Sequence, residues 1–271
     1  MPVSVDQMSR QIRLSAPARR IVSLVPSQTE LLAALELEEE VIGLTKFCVR
    51  PERWYRSKTR VGGTKQLHLE TIRALQPDLI LANKEENDQA QLEALMQDFP
   101  VWISDIVDLG GALEMIRAVG ELTGKTAAAG AMAIAIAGGF ERLQAELRQA
   151  AQTGKVPSWG KKVAYFIWKE PWMVAGKQTF IDAMLQQCGW VNGFGALPRY
   201  PVIDPGDPAR NGCSLVLLSS EPYPFAEKHA TLLRSLNPGS QCVLVDGEAF
   251  SWYGSRLLQA PDYFRQLLIT Q

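Results

Sequence analysis

Residues 20–87 run strand, Ser-Gln, helix, strand, loop, helix, strand and acidic loop, and a looser version of that order begins again at Lys161. Strands that alternate with helices form a parallel sheet, because each parallel strand needs a crossover and each crossover helix needs a sheet face to bury against. The order met twice predicts two α/β halves with a ligand held between them. With 271 residues, 46% of them hydrophobic and 21% charged, each half can bury a core of its own.

Apolar periodicity places the elements. Residues 21–25 read as a strand stopped by Pro26, and Ser27 with Glu30 three residues on has the capping-box pattern of a helix ending near Leu37. Residues 41–45 read as a strand, 68–75 as a helix stopped by Pro77, 78–82 as a strand, 86–97 as a helix, 101–104 as a strand and 109–122 as an amphipathic helix. Residues 125–152 form one long alanine-rich helix that tolerates Gly138 and Gly139 and stops at Thr153-Gly154; residues 154–160, with Pro157, are a linker. The second half reads as strand 163–168, helix 180–187, strand 214–219, helix 225–236, strand 242–246 and helix 255–268. Residues 189–211, rich in Gly and Pro, read as a long loop. The expected division is a first lobe at 1–124, a linking helix at 125–154 and a second lobe at 155–271.

Several function classes drop out. A net charge of -1, with Lys and Arg spread along the chain, supplies no basic stripe for nucleic acid or an anionic membrane. Residues 1–15 hold neither a signal-peptide core nor a cysteine for lipid, so the chain as written is expected in the cytoplasm. Cys48, Cys188, Cys213 and Cys242 lack metal-ligand spacing and read as reduced, buried thiols. No run reaches transmembrane length; the alanine-rich 127–137 is a helix in water.

Ligands of open α/β sheets bind beyond the carboxyl ends of the strands. The residues expected there are Ser27 and Gln28; Lys46 and Phe47; Gly63 and Thr64; Lys84 and Glu85; Trp168 and Trp172; Glu221 and Tyr223; and Phe250, Trp252, Tyr253 and Arg256. The aromatics offer flat faces for a large planar ligand, and Lys46, Lys84 and Arg256 could pair with its carboxylates or phosphates. An ordinary aromatic core is the plainer reading of any one of these rings.

Other motifs carry less. Gly124-Lys125-Thr126 ends like a phosphate loop, but Val119 stands where that pattern needs glycine, and a helix precedes it instead of a strand. The run from Gly62 to Lys65 is either a plain tight turn or a presenter of amides to an anion. His68 and His229 have no second ligand at zinc spacing. His229 reads as the surface of a solvated helix, although a lone imidazole near a cleft can be an axial ligand to haem iron or corrinoid cobalt. Ser219 and Ser220 sit on no nucleophile elbow. No catalytic residue and no metal site is assigned, and no cofactor is required.

The runs RIVSLVPSQTELLAAL, VGGT, HLETIRALQPDLILA and VAGKQTFIDAMLQQCGW, together with the long alanine-rich helix between them, resemble the class III substrate-binding proteins of ABC importers. That group includes the cobalamin receptors and the siderophore or haem receptors, and the resemblance runs from Arg19 to the C-terminus. It implies two Rossmann-like lobes with parallel sheets joined by one rigid helix, a ligand between the lobes with small closure, a monomer, an ABC permease as partner and an extracytoplasmic alternative to the cytoplasm. By the same resemblance Glu70 falls where the family places a glutamate that salt-bridges a permease arginine. Asp204-Pro205-Gly206-Asp207 stands where the second lobe carries its counterpart. Trp252 and Tyr253 align with a ligand-contacting aromatic of the cobalamin receptors, and Gly63 or Thr64 replaces another. The function implied is a binding protein for a large planar or metal-chelate ligand, cobalamin-like first and haem or ferric siderophore next. The rival is a cytosolic enzyme acting on a corrinoid, tetrapyrrole or nucleotide-like substrate, with Lys84, Glu85, Glu86 or Glu221 as acid or base, which a carboxylate of raised pKa in the cleft would mark.

Overall fold

Short apolar runs separated by capped helices become two α/β units in the computed structural model, which describes residues 3–152 and 160–269. The expected helix stop at Thr153-Gly154, and the linker up to residue 159, lie outside the described residues. One unit takes residues up to Ile106, then Gly110–Ile136 and Trp252–Arg256; the other takes Val107–Leu109, Ala137–Ser251 and the chain from Leu257 onward.

The first unit opens with an antiparallel pair, β1 (Val3–Val5) and β2 (Gln11–Arg13). Its main sheet holds β3 (Ile21–Ser23), β4 (Val41–Leu44), β5 (Thr59–Arg60), β6 (Leu79–Asn83) and β7 (Val101–Ser104) in the order β5-β4-β3-β6-β7, every pair parallel. All residues of β3, β6 and β7 are buried, as strands covered on both faces must be, and that is why they read as unbroken apolar runs. The crossovers include α1 (Pro26–Ala34), α2 (Glu52–Ser57), α3 (Leu69–Leu75) and α4 (Gln89–Met96), and α5 (Leu109–Leu122) follows the last strand.

Ser27 does not cap α1. Pro26 is already helical, Val25 takes the cap position and no side chain caps the end, because a proline at the first helical position brings a preset φ and no N–H to satisfy. The helix stops at Ala34, short of the expected Leu37, and Glu36 turns left-handed at φ 57°. In α4 the start moves from residue 86 to Gln89, where Asp88 accepts the Gln91 amide at 3.0 Å. The 27-residue α6 (Thr126–Gln152) matches the long helix expected. Gly124, at φ +73°, turns the chain between α5 and α6, with the Lys125 amide on Gly120 O, so the phosphate-loop likeness is a helix-to-helix turn.

In the second unit β8 (Lys162–Trp168) is central, flanked in parallel by β10 (Val191–Asn192) and β11 (Leu215–Ser219), with β12 (Gln241–Val245) beyond β11; β9 (Met173–Val174) turns back antiparallel on β8. The helices are α7 (Phe180–Gln187), α8 (Asp207–Arg210), α9 (Glu227–Leu236), α10 (Gly247–Ser251) and α11 (Ala260–Ile269). The single helix expected over 255–268 is instead a 3-10 turn, Ser255–Leu258, followed by α11. The long loop is not loose. Lys177 donates to Leu197 O and Arg199 to Lys177 O, while a Cβ on Gly176 would stand 2.2 Å from Leu197 O, so residues 197–203 run beside 172–177 in a pairing that Pro198 and Pro201 keep from becoming a ladder.

All four cysteines are buried free thiols, and burial pushes those of Cys48 and Cys213 up to about 11. Among the described residues no helix is long and apolar enough to cross a membrane.

Candidate functional site

In a doubly wound sheet the crevice for a ligand opens where successive crossovers diverge. In the first unit that point lies between the carboxyl ends of β3 and β6, and three polar side chains knot it shut. Gln28 Nε2 donates to Ser104 Oγ at 2.8 Å and to Ala82 O at 3.2 Å. Asn83 Nδ2 donates to Ser104 Oγ at 3.0 Å, and Ser104 Oγ donates to Ala82 O at 3.1 Å. Gln28 is fully buried, so it joins strand ends instead of facing a ligand, although its Oε1 has no protein partner.

The acidic loop is tied to the glycine turn. Asn83 Oδ1 accepts the amides of Glu85 and Glu86 at 2.8 and 3.1 Å, and Asn87 Oδ1 accepts the Asn83 amide at 2.8 Å. Asn87 Nδ2 donates to Thr64 O, and Lys65 Nζ donates to Glu85 O at 2.6 Å and to Asn87 O. Gly62, at φ +100°, makes the turn possible, since a Cβ there would meet Gln66 O at 2.3 Å. Lys84 is drawn aside by Asp105 at 2.5 Å.

Tyr253 then closes the crevice. The segment Trp252–Arg256, which sequence order assigned to the second half, belongs to the first unit. A Cβ on Gly254 would stand 2.6 Å from Ser27 O, so the segment lies directly on the start of α1. The Tyr253 hydroxyl donates to Glu86 Oε1 at 2.7 Å and lies beside the Ser27 hydroxyl; burial, and then the Glu86 charge, hold its pKa well above the usual phenol range. Arg256 binds Glu30 at 2.7 and 3.3 Å and lies 5.3 Å over the Trp252 ring. Ser27, Trp252 and Tyr253 are thus buried where a ligand-facing surface was expected.

What stays open in this unit is the flank. After β4 the Lys46 amide donates to Gly62 O at 2.8 Å and the Val49 amide to Phe47 O at 2.9 Å, a tight turn that pushes Phe47 outward, 51% exposed. Lys46 Nζ lies 5.2 Å from the Phe47 ring centroid. Both crowd Gly63, where a Cβ would come within 3.2 Å of the ring and 3.3 Å of Lys46 Cε.

The second unit diverges at β8 and β11, and there the strand ends are aromatic. Trp168 is 39% exposed and meets Tyr223 edge-on at 5.7 Å. Trp172 stacks on Phe225 at 6.1 Å and 16°, and carries Lys169 Nζ 5.9 Å above it. Glu221 receives the Ser251 hydroxyl at 2.7 Å. Phe250 is fully buried between Tyr165 at 5.1 Å and Phe264 at 4.7 Å, so it is core and has no face for a ligand. Ser219 accepts the Tyr165 hydroxyl and donates to Glu221 O.

His229 is not on the surface. It is 6% exposed, lies 5.5 Å from both the Tyr223 and Phe225 rings, and its Nδ1 accepts the Ala226 amide at 2.9 Å. An Nδ1 that accepts a backbone N–H leaves the proton of the neutral ring on Nε2, which faces the Tyr223 hydroxyl at 3.4 Å. No lone pair is left for a metal. Burial first, then Lys228 and Lys169, lowers its pKa. Among the described residues no group of three or more His, Cys, Asp or Glu could hold a metal ion.

Glu70 is exposed in the first turn of α3 and pairs with Arg73 at 2.7 Å. Asp204 and Asp207 both bind Arg210, at 2.9 and 2.7 Å. The residues that sequence reasoning passed over are Ser104, Asp105 and Gly254. Only Gly254, a glycine within the aromatic run 250–256, left a trace in the sequence.

The family model described as periplasmic binding protein matches residues 21–209. An uncharacterized ABC transporter substrate-binding lipoprotein of Bacillus subtilis, YvrC, is 27% identical over 206 residues, 70% of this chain and 63% of that one. A vitamin B12-binding protein of Vibrio campbellii is 31% identical over 112 residues, 41% of this chain and 40% of its own length. The chain therefore spans less than two thirds of these relatives. Solved structures share the fold over nearly the whole chain. The periplasmic vitamin B12 binding protein BtuF of Vibrio cholerae superposes with a TM-score of 0.77 at 20% identity, covering 93% of this chain and 97% of that one. A periplasmic heme binding protein of Pseudomonas aeruginosa gives 0.78 at 21% identity, covering 94% of each. None of these relatives supports the cytoplasmic placement expected from residues 1–15.

Proposed function

Because the chain belongs to the periplasmic binding protein family, we propose that it is an extracytoplasmic receptor that holds a large planar or metal-chelate ligand and delivers it to an ABC-type importer. The observation that carries this reading is the aromatic strand end at the divergence of β8 and β11, where Trp168 keeps an open face beside Tyr223. A cobalamin-like ligand comes first, in keeping with the B12-binding relatives, and haem or a ferric siderophore next. Phe47, Lys46, Gly63 and Thr64 form the contact surface of one unit, and Trp168, Trp172, Glu221 and Tyr223 that of the other. No reaction is proposed.

Docking to the permease is assigned to Glu70, exposed and paired at the surface with Arg73. Glu70→Ala is expected to leave ligand binding intact and to lower uptake in a reconstituted transporter.

The test is direct. Purified protein is incubated with cyanocobalamin, haemin and a ferric siderophore, desalted, and read in the visible. One retained chromophore at stoichiometric yield is expected, with affinity lowered at least about tenfold in Trp168→Ala, the scale of a lost stacking face. Retention of none of the three would sink the reading.

A further inference from the structure

The aromatic strand end of the second unit rests on an imidazole. His229 is the third residue of α9, the position from which a glutamine or glutamate side chain ordinarily reaches back to the amide that precedes the helix. Here the ring makes that bond. Its Nδ1 accepts the Ala226 amide at 2.9 Å, and its Nε2 hydrogen is turned to the Tyr223 hydroxyl at 3.4 Å. The ring packs 5.5 Å from Tyr223 and from Phe225, and Tyr223 in turn lies 4.8 Å from Phe225 and 5.7 Å from Trp168. Because His229 is buried, it backs the aromatic platform without facing a ligand.

Only the neutral ring can do this. A second proton goes on Nδ1, where it meets the Ala226 N–H; the acceptor is lost and two donors are left facing each other in a buried place. The ring must then turn away, and Tyr223 loses its partner. The surroundings do not favour a cation. Lys228 on α9 and Lys169 on the β8–β9 turn act on the ring with like charge. Lys169 pairs with Glu170, Glu227 with Arg234, and Glu221 accepts from the Ser251 hydroxyl. On β12, which packs on α9, the Cys242 thiol is kept protonated by burial. Burial first, and then the two lysines, hold the His229 pKa below the usual imidazole value.

Resting on the receptor reading above, we propose that His229 is a positioning residue of the ligand site: the neutral imidazole sets Tyr223 against Trp168, and its protonation frees the pair and loosens the ligand. Binding needs the neutral ring, so affinity is full at pH 7.5 and falls as pH drops through the folded value. The site holds its ligand at neutral pH and gives it up in acid, whatever the charge of the ligand.

Cyanocobalamin, whose net charge is constant from about pH 7.5 to 4.5, is titrated against wild-type protein by calorimetry across that range, with folding checked by circular dichroism. Affinity is expected to fall about fivefold in acid, the scale of one net hydrogen bond. His229→Gln can accept the Ala226 amide and donate to Tyr223 but cannot titrate, so its affinity should change by less than about twofold over the same range. His229→Leu fills the space, makes neither bond and should bind weakly at both ends. A second readout needs no ligand. In wild-type protein with ring-labelled tyrosine, the Tyr223 resonances, assigned by their loss in Tyr223→Phe, should shift with the midpoint of the His229 ring. A flat wild-type profile, an equal fall in His229→Gln, or Tyr223 signals that ignore the His229 titration would overturn the proposal and leave the receptor reading standing. If cyanocobalamin is not bound at pH 7.5, wild type and His229→Gln are compared with haemin in mixed solvent, where the ionisation of the probe is common to both. Binding of neither probe sinks the receptor reading and this one with it.

Discussion

Removing one oxygen tests whether the C-terminal segment is a working part of the first unit. Tyr253→Phe keeps the ring, 7% exposed, and deletes the hydroxyl that donates to Glu86 Oε1 at 2.7 Å. A hydrogen bond to a charged group contributes about 1.5–3 kcal/mol, the upper part when the acceptor is shielded from water. Glu86 is half-buried, so a loss of about 2 kcal/mol is expected, read as a lower urea midpoint with the slope unchanged. Because the Glu85 and Glu86 amides rest on Asn83 Oδ1, their hydrogen exchange should accelerate in the variant. The pH profile gives an independent sign. Burial raises the Tyr253 pKa above its unfolded value of about 10, so its contribution is complete below pH 10 and is lost as pH rises through the folded value. By pH 11 the wild type should have given up about 1.4 kcal/mol that the variant never had, and the two curves should converge. A cost under about 0.5 kcal/mol with unchanged exchange would refute the docking of this segment.

Three other outcomes follow from the geometry. Gly62→Ala, with φ +100° and a Cβ 2.3 Å from Gln66 O, should cost at least about 2 kcal/mol in chemical denaturation, because neither the backbone nor the carbonyl can yield cheaply. His229 binds a proton less readily folded than unfolded, so stability is whole above about pH 6.5 and declines as pH falls through the lower folded value. Melting scans from pH 7.5 to 5 should show a flatter decline in His229→Asn, which cannot titrate. Phe250→Ala should cost about 3–5 kcal/mol as a core cavity, whereas Trp168→Ala, at a surface 39% exposed, should cost under about 1.5 kcal/mol in stability and act on ligand binding instead. Equal stability costs for the two would show the assignment of core and surface to be wrong.

Strands, helices and turns were legible where one local signal decided them. The span of α7 matches the helix read over 180–187 to the residue, and in the structure the Thr179 side chain caps its first turn. The capping box at Ser27 misled, since Pro26 can begin a helix one residue earlier without a cap. His229 was taken for surface because the polar face of α9 hides what its first turn packs against; an imidazole that caps its own helix looks, in sequence, like any solvated residue.

The candidate site divides along the same line. Exposed aromatics that follow a strand, such as Phe47 and Trp168, can be found by asking where each strand stops, because the strand itself aims them. Phe250, Trp252 and Tyr253 stand after a strand in the same way, yet one is core and the other two are buried in the opposite unit.

The repeated alternation of strand and helix therefore determined, without coordinates, that this chain makes two parallel-sheet units and a long helix, since period and capping act over a few residues. Only the tertiary structure decided that residues 252–256 leave their own half to complete the other, that Tyr253 fills its crevice, and that Lys84 and Arg256 spend their charge on Asp105 and Glu30. Those outcomes depend on partners up to 226 positions apart, and a charge is free or paired according to what lies beside it in space, which no local pattern records.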